Sequence, residues 1–225
     1  MGDLTMHRHR RTLAMVCCLI MSGTSIVAEE KEDEFVSLFD GKTLDGWHGD
    51  EELWSVEDGA ILGATDGEIP DNTFLISDRE FGDFVLKVKF RLHDHQGNSG
   101  IQFRSKEIQE LGGKELPDFV VAGYQADIAS ERYMGILYGE KTGRGIIHDV
   151  TDEVREKLED AVVKDGWNEY VITADGDHIR QELNGVVTVD INDPDGEKSG
   201  VIALQLHRGH DMRISFKDIV IKQLD

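Results

Sequence analysis

Alternation of apolar and polar residues with a period of two is the feature of this sequence that most constrains its fold. Runs rich in Val, Ile, Phe and Tyr recur from residue 35 onward, and turn dipeptides separate many of them. Asp58-Gly59 and Asn184-Gly185 are two such pairs; their residues tolerate positive φ, which two-residue hairpin turns require. The pattern therefore predicts a series of short strands joined by tight turns.

The alternation predicts strands over most of the chain. They are Phe35–Phe39, Trp54–Glu57, Ala60–Ala64, Thr73–Ile76, Asp83–Leu92, Ser99–Arg104, Gly123–Ile128, Ile136–Tyr138, Asn168–Thr173, His178–Leu183, Val186–Asp190, Val201–Leu206 and Met212–Leu224. Only Thr151–Val162 has a helical pattern, because Val154, Leu158 and Val162 share one face at a spacing of four. One short helix among many strands predicts an all-β sandwich or barrel, and residues 35–225 contain no linker, so we predict one domain.

The first 28 residues have the layout of a secretory signal peptide. A basic cluster, His7–Arg11, precedes the apolar run Leu13–Met21, which is too short to span a bilayer as a helix. We predict that residues 1–28 are a signal peptide, that residues 29–34 are an acidic linker, and that the protein is exported in soluble form. An uncleaved membrane anchor is the alternative.

Charge and cysteine content narrow the range of partners. The chain has 45 Asp and Glu against 24 Lys and Arg, a formal net charge of -21. Long-range repulsion disfavours nucleic acids, anionic membrane surfaces and polyanionic glycans as partners. Cys17 and Cys18 both lie in the predicted signal peptide, so we expect a mature chain without disulfides or a thiolate nucleophile. A small neutral ligand is the partner that this composition favours.

Three predicted strands carry polar pairs at positions i and i+2, which share one face of a strand. The pairs are Gln102 with Arg104, Gln125 with Asp127, and Gln205 with His207. If these strands are neighbours, the six side chains form one patch whose guanidinium, carboxylate, imidazole and amides suit sugar hydroxyls and proton transfer. An ordinary solvent-exposed strand face is the alternative.

Patterns for a metal or cofactor are weaker. His93–His95 offers only two histidines and is typical of a surface turn. The acidic segment Asp190–Asp195 resembles a calcium loop, but it lacks the glycine and terminal glutamate of an EF-hand, and a turn rich in Asx residues explains it equally well. No cofactor motif is evident, although a divalent cation such as calcium is compatible with these residues. Gly143–Gly145 predicts a flexible loop at the mouth of a cleft, near Tyr138 and His148.

Six segments in a fixed order resemble the 3-keto-disaccharide hydrolase family. They are Phe35–Trp47, Trp54–Gly59, Asn98–Arg104, Gly123–Ile128, Trp167–Tyr170 and Gly200–Leu224. The resemblance implies a concanavalin A-like jelly-roll sandwich of two antiparallel sheets that binds ligands on its concave face. It also implies an exported bacterial protein acting on oxidised disaccharides or glycosides. Some members have a glutamate where this chain has Gln125, which leaves Asp127 as the only carboxylate of the strand's patch.

The implied substrate, a 3-keto sugar, needs only one base. Its ketone acidifies the C2 hydrogen, the enolate expels the C1 substituent by β-elimination, and addition of water completes a net hydrolysis. We predict Asp127 or His207 as the base, and Arg104 or a bound divalent ion as the group that stabilises the enolate oxygen. The predicted substrate-binding residues are Asn98, Gln102, Gln125, Gln205, Tyr138 and His148. A non-catalytic carbohydrate-binding module of the same fold is the alternative function.

Overall fold

The alternating segments form antiparallel strands in a computed structural model that describes residues 1–2, 34–130, 132–209 and 211–224. The strands are β1 (Val36–Ser37), β2 (Trp47–His48), β3 (Trp54–Glu57), β4 (Ala60–Thr65), β5 (Thr73–Phe81), β6 (Phe84–Leu92), β7 (Asn98–Glu107), β8 (Glu110–Leu111), β9 (Lys114–Glu115), β10 (Val121–Ala129), β11 (Leu137–Glu140), β12 (Gly145–His148), β13 (Asn168–Asp175), β14 (His178–Leu183), β15 (Val186–Asn192), β16 (Gly200–Leu206) and β17 (Met212–Gln223). The described residues also contain one α-helix, α1 (Asp152–Ala161), and a 3-10 turn, His93–His95.

Two sheets make up the fold. One has eight strands in the order β15-β14-β13-β6-β17-β4-β3, with β1 paired to β17; the other has seven in the order β12-β11-β10-β7-β16-β5-β2. The short strands β8 and β9 pair separately as a hairpin. The pairings are antiparallel. The predicted all-β jelly-roll sandwich is confirmed.

The core lies between the two sheets because inward side chains alternate along each strand. In β6, Phe84, Leu86, Val88 and Phe90 are fully buried, and the residues between them are partly exposed. Burying one such side chain contributes roughly 2 kcal/mol. The opposite sheet supplies Phe103, which packs edge-on against Phe84 with ring centroids 6.3 Å apart.

The helix α1 begins after Thr151, whose Oγ1 accepts a hydrogen bond from the Val154 amide at 3.3 Å. Leu158 is buried, and Val154 and Val162 pack against the core from the same face. The helix predicted over Thr151–Val162 is confirmed, with one residue fewer at each end.

The hairpin turns have the predicted backbone. Asp58 and Gly59 have φ of 50° and 76°, and Asn184 and Gly185 have φ of 48° and 80°, which are the two consecutive positive values of a type I′ turn. The sequence pattern did not predict β2, β8, β9 or β12. In particular, Gly145, expected in a loop, is the first residue of β12.

The predicted signal peptide (1–28) and acidic linker (29–34) fall largely on residues 3–33, outside the described residues, and stay predictions. The described part of the chain contains no helix with the length and hydropathy of a membrane span.

Candidate functional site

A cavity of about 640 Å³ opens on the face of the seven-stranded sheet that points away from the core. Strand β10 shows why polar residues line it. Tyr124, Ala126 and Ile128 belong to the core, so the alternating residues Gln125 and Asp127 project from the other face.

The cavity brings together several of the residues predicted from sequence. Asn98, Gln125, Asp127, Tyr138 and His207 all line it. They come from β7, β10, β11 and the end of β16, which are neighbours in the sheet order. His207 Nδ1 lies 2.6 Å from the Arg208 carbonyl oxygen. The polar faces of separate strands thus meet in one hollow at these residues.

Asp127 is a carboxylate that is only 4% exposed. Burial raises the pKa of Asp127 well above its usual value, and the nearby Glu140 carboxylate raises it further. Gln125 Nε2 donates to Asp127 Oδ1 at 3.3 Å and opposes that rise. The Tyr170 hydroxyl donates to the Asp127 backbone carbonyl at 2.7 Å and fixes this part of β10 against the other sheet.

A chain of hydrogen bonds connects Asp127 to buried side chains behind the cavity wall. Ser105 Oγ donates to Gln102 Oε1 at 2.7 Å, and Gln102 Nε2 donates to Gln125 Oε1 at 2.7 Å. Gln102 is fully buried and does not line the cavity. The structure therefore places Gln102 in the support of the cavity rather than in the expected contact with sugar hydroxyls.

Gln205 is also fully buried on this face, one residue beyond the pairing of Leu204 with Ile101. Its amide nitrogen and oxygen have no hydrogen-bond partner among the described residues, and the same is true of Asn98 Oδ1. Buried polar atoms are nearly always satisfied by protein or ordered water. Asn98 lines the cavity but Gln205 does not, so the structure does not place Gln205 in the expected contact with sugar hydroxyls.

The expected placement of Arg104 beside Asp127 and His207 is wrong. Arg104 has φ of +47° at a point where the pairing of β7 with β10 shifts register, so its side chain leaves the polar face. The guanidinium is fully buried and donates to Asp83 Oδ1, to the Gly82 carbonyl at 2.9 Å and to the Gly176 carbonyl at 2.8 Å. Arg104 thus ties the two sheets together at one end of the sandwich.

The expected placement of His148 in the cleft is wrong as well. His148 pairs with Leu137, whose side chain lies in the core, and directly paired residues share a face. His148 is not among the cavity-lining residues.

A second carboxylate, Glu140, lines the cavity although the sequence analysis did not select it. Glu140 follows Tyr138 by two residues in β11, so both side chains lie on the cavity face. It is 7% exposed, and burial raises its pKa. The i, i+2 rule applied to Tyr138 would have found it. Asp127 is the only carboxylate of its own strand, but the neighbouring strand supplies another.

Asp71 and Asn72, in the segment before β5, complete the wall around Glu140. Asn72 Nδ2 donates to Glu140 Oε1 at 3.2 Å, and Asn72 Oδ1 accepts from the Arg208 amide at 3.1 Å. Lys141 Nζ lies 2.8 Å from both carboxylate oxygens of Asp71. Residues 72 and 140 are 68 positions apart in the chain, so no local pattern indicated this contact.

Tyr138 is a neutral hydrogen-bond donor in the cavity wall. Burial raises the pKa of Tyr138, and the carboxylates of Glu140 and Asp127 raise it further. The phenol therefore keeps its proton and is available to donate it to a developing negative charge.

The two metal-binding patterns form ordinary structural contacts. His93 Nε2 lies 2.8 Å from Ser215 Oγ, and Asp193 accepts two hydrogen bonds from the Arg144 guanidinium at 2.7 and 3.0 Å. Among residues 34–130, 132–209 and 211–224, no group of three or more His, Asp or Glu side chains is placed to hold a metal ion. Asp193 in the acidic segment is thus an ion-pair partner of Arg144.

One curated relative matches part of this sequence. A curated 3-keto-disaccharide hydrolase from Bacteroides thetaiotaomicron is 34% identical over 85 residues, which cover 34% of this chain and 29% of that protein. The match thus spans less than a third of the relative's length.

Solved structures share the fold. The carbohydrate-binding module CBM66 from Bacillus subtilis has a TM-score of 0.58 at 16% identity, covering 79% of this chain and 96% of that one. A protein of unknown function with a galectin-like fold, also from Bacillus subtilis, has a TM-score of 0.60 at 13% identity, covering 80% and 90%. At these identities the likeness concerns the sandwich alone.

A family model matches nearly the whole sandwich and assigns the chain to a family. The model of the 3-keto-alpha-glucoside-1,2-lyase-like domain matches residues 34–222, which confirms the resemblance carried by the six sequence segments. This chain therefore belongs to the 3-keto-alpha-glucoside-1,2-lyase-like domain family.

Proposed function

We propose that this protein cleaves the glycosidic bond of 3-keto sugars by removal of the C2 proton, elimination of the C1 substituent and hydration. The observation that carries the proposal is Asp127, a buried carboxylate in a polar cavity, held by an amide donor and flanked by Tyr138 and Glu140. The family description and the name of the Bacteroides relative support the substrate class.

Asp127 is the proposed base. Its carboxylate takes the C2 proton, and the electrons of the C2–H bond form an enolate whose negative charge lies on the C3 oxygen. A carboxylate with a raised pKa is a stronger base than an exposed one, and a positioned base typically contributes about 10²- to 10⁴-fold in rate. His207 lines the same cavity and is the alternative base.

Tyr138 takes the role that sequence analysis gave to Arg104. Its phenol keeps its proton and projects into the cavity, where it donates a hydrogen bond to the enolate oxygen. A single donor placed at a developing oxyanion contributes about 10²- to 10³-fold in rate.

Glu140 is the proposed acid. When the enolate collapses, the C1–O bond breaks, a C1–C2 double bond forms, and the leaving oxygen takes a proton from Glu140. Burial raises the pKa of Glu140, and Lys141 and the Asn72 amide oppose part of that rise, so Glu140 keeps its proton to a higher pH than an exposed carboxyl does. Water then adds its hydroxyl to C1 and gives its proton to Glu140, while Asp127 returns the proton to C2, so the net change is hydrolysis and both carboxyl groups return to their starting states.

The test is incubation with 3-keto-trehalose or 3-keto-lactose in D₂O. We expect release of the 3-keto sugar with deuterium at C2, because the base exchanges its proton with solvent before hydration. Asp127→Asn should lower turnover by about 10²- to 10⁴-fold. Full turnover by both Asp127→Asn and His207→Ala, or a product without C2 deuterium, would contradict the proposal.

The alternative, a carbohydrate-binding module, predicts a different result in the same assay. The unaltered protein would then bind the saccharide without releasing any product, and Asp127→Asn would change affinity alone.

We also propose export, from the basic cluster His7–Arg11 and the apolar run Leu13–Met21. Expression in a bacterial host and intact-mass measurement should give a chain that begins at Glu29. Recovery of only the full-length chain in the cytoplasm would contradict export.

A further inference from the structure

We propose that the buried hydrogen-bond chain Ser105–Gln102–Gln125 orients Asp127 and sets its protonation, so that Ser105 acts as a positioning residue for a carboxylate it does not touch. The hydrogen bonds of this chain are seen in the structure, and their effect on catalysis rests on the proposed function.

The three side chains of this hydrogen-bond chain are buried. Ser105 and Gln102 are fully buried and Gln125 is 2% exposed. The two links from Ser105 to Gln102 and from Gln102 to Gln125 are both 2.7 Å long, and the last link, from Gln125 Nε2 to Asp127, is 3.3 Å. Solvent does not compete for Ser105 and Gln102, and only Gln125 reaches the cavity, so loss of a hydrogen bond at Ser105 is not made good by water and must change the bonds of the two amides.

The chain has a direction. Each amide accepts at its oxygen from the preceding group and donates through its nitrogen to the next, so every donor points toward Asp127. A reversed Gln125 would turn its carbonyl oxygen toward Asp127, and that arrangement favours a protonated carboxyl. The two amides share one hydrogen bond, so Gln125 cannot reverse unless Gln102 reverses or that bond breaks.

Ser105 Oγ lies 2.7 Å from Gln102 Oε1, 3.1 Å from the Phe103 carbonyl oxygen and 3.5 Å from the Tyr124 carbonyl oxygen, so its hydrogen has Gln102 as the nearest acceptor. Without the Ser105 hydroxyl, Gln102 Oε1 becomes a buried acceptor with no donor in the chain, and the observed direction loses its anchor. The influence of Ser105 on Asp127 therefore passes through two side chains.

Two glycines leave the space that the chain occupies. A Cβ atom on Gly100 would lie 2.5 Å from Cγ and Cδ of Gln125, and a Cβ atom on Gly123 would lie 2.2 Å from Ser105 Oγ. Both distances are shorter than real contacts allow. The backbone of β7 and β10 therefore provides a channel for these side chains, which an incidental contact would not require.

Other titratable groups also act on Asp127, so the test must separate them from the chain. Glu140 and Tyr138 act on it from β11 and Tyr170 acts from the opposite sheet. His207, at the end of β16, lines the same cavity. Arg208 and Lys141 lie beside Glu140. None of these residues is altered in the variants chosen below.

The experiment follows the titration of Asp127 by carbon NMR of protein labelled at the aspartate carboxyl, with the signal assigned by its loss in Asp127→Asn. We expect Ser105→Ala to raise the midpoint by about one pH unit, because a hydrogen bond to the charged form is weakened. Ser105→Thr restores a hydroxyl and should return the midpoint to its original value. An unchanged midpoint in Ser105→Ala would overturn the proposal.

Ser99→Ala is the matched control. Ser99 is a fully buried serine of the same strand, but its hydroxyl donates to the Gln205 carbonyl at 2.7 Å and is outside the chain. An equal shift in Ser99→Ala would mean that any buried serine has this effect and would overturn the proposal. If Ser105→Ala does not fold, Gln102→Met removes the next link and must raise the midpoint in the same direction.

Kinetics distinguish failure of this inference from failure of the proposed function. In Ser105→Ala the acid limb of kcat/KM for a 3-keto glycoside should move upward by the same amount as the NMR midpoint. A shifted midpoint with an unshifted acid limb would support the chain and overturn Asp127 as the base. Absence of turnover in the unaltered protein would overturn the proposed function, and the NMR titration would still test the chain.

Discussion

At the scale of single residues, Asp127 is held between two opposing influences. Burial and the charge of Glu140 raise the pKa of Asp127 and favour its protonated form, while the Gln125 amide favours its carboxylate. A general base works best when its pKa is close to the working pH. A raised pKa brings Asp127 closer to neutral pH than an exposed aspartate would be. The same arrangement has a cost in stability, because the folded state must keep a charge that it does not solvate well.

Replacement of Asp127 by asparagine should therefore stabilise the protein at neutral pH and not at low pH. An acid with a raised folded-state pKa contributes stability that is fully present below the unfolded pKa of about 4 and is lost as pH rises through the folded pKa. The asparagine side chain has no such titration. The difference in free energy of unfolding should grow by at most about 1.4 kcal/mol for each pH unit in that window.

Urea denaturation of both proteins from about pH 3 upward, starting below the unfolded pKa, measures this difference. An advantage of Asp127→Asn that is the same at every pH would contradict the raised pKa of Asp127.

Residue-scale alternation placed Asp127 and Gln125 on the cavity face and missed Glu140. The predicted strand Ile136–Tyr138 stops two residues before Glu140, so the alternation rule does not reach Glu140. The hydrogen bond of Asn72 to Glu140 joins residues 68 apart in the chain, so only the fold reveals it. The alternation along a strand predicts which face of the sheet a side chain occupies. Its hydrogen-bond partners from distant parts of the chain depend on the order of the strands in the sheet.

At the scale of elements, β-bulges decide where alternation stops. Strand β7 keeps its period through Phe103, and the positive φ of Arg104 then changes the direction of the side chain. A bulge inserts one residue without an obligatory sequence signature when that residue is not glycine. Strands as short as β2 and β8 have two residues and no period to detect. Long alternating strands such as β6 and β13 were therefore predictable, and these features were not.

Arg104 gives a prediction that separates the structural role found here from the catalytic role expected from sequence. Arg104→Lys keeps the charge but loses the planar fork that reaches Asp83, Gly82 and Gly176 together. We expect the free energy of unfolding to fall by about 3 kcal/mol, as for other buried charge networks that lose a partner.

At a temperature where the variant remains folded, its kcat on a 3-keto glycoside should stay within about twofold of the unaltered enzyme, because Arg104 does not line the cavity. Thermal denaturation and steady-state kinetics measure the two effects. A large loss of kcat with unchanged stability would restore Arg104 to the catalytic site.

At the scale of the whole molecule, the protein has a net charge of -21. Its cavity also contains the carboxyl groups of Asp127 and Glu140 and the Asp71–Lys141 ion pair. Field lines from an acidic protein concentrate in such a cleft and lower the local concentration of anions. A 3-keto glucuronide should therefore be cleaved with a kcat/KM at least about tenfold below that of the matching 3-keto glucoside at low salt.

Raising the ionic strength from about 10 to about 150 mM shortens the Debye length from about 30 to about 8 Å and should narrow this gap. The neutral substrate is the control, since its kcat/KM should change little over the same range. Equal or faster cleavage of the glucuronide at low salt would show that a local cation, such as Arg208 at the cavity wall, outweighs the charge of the molecule. The preference for neutral or anionic substrates would then depend on the side chains of the cavity alone.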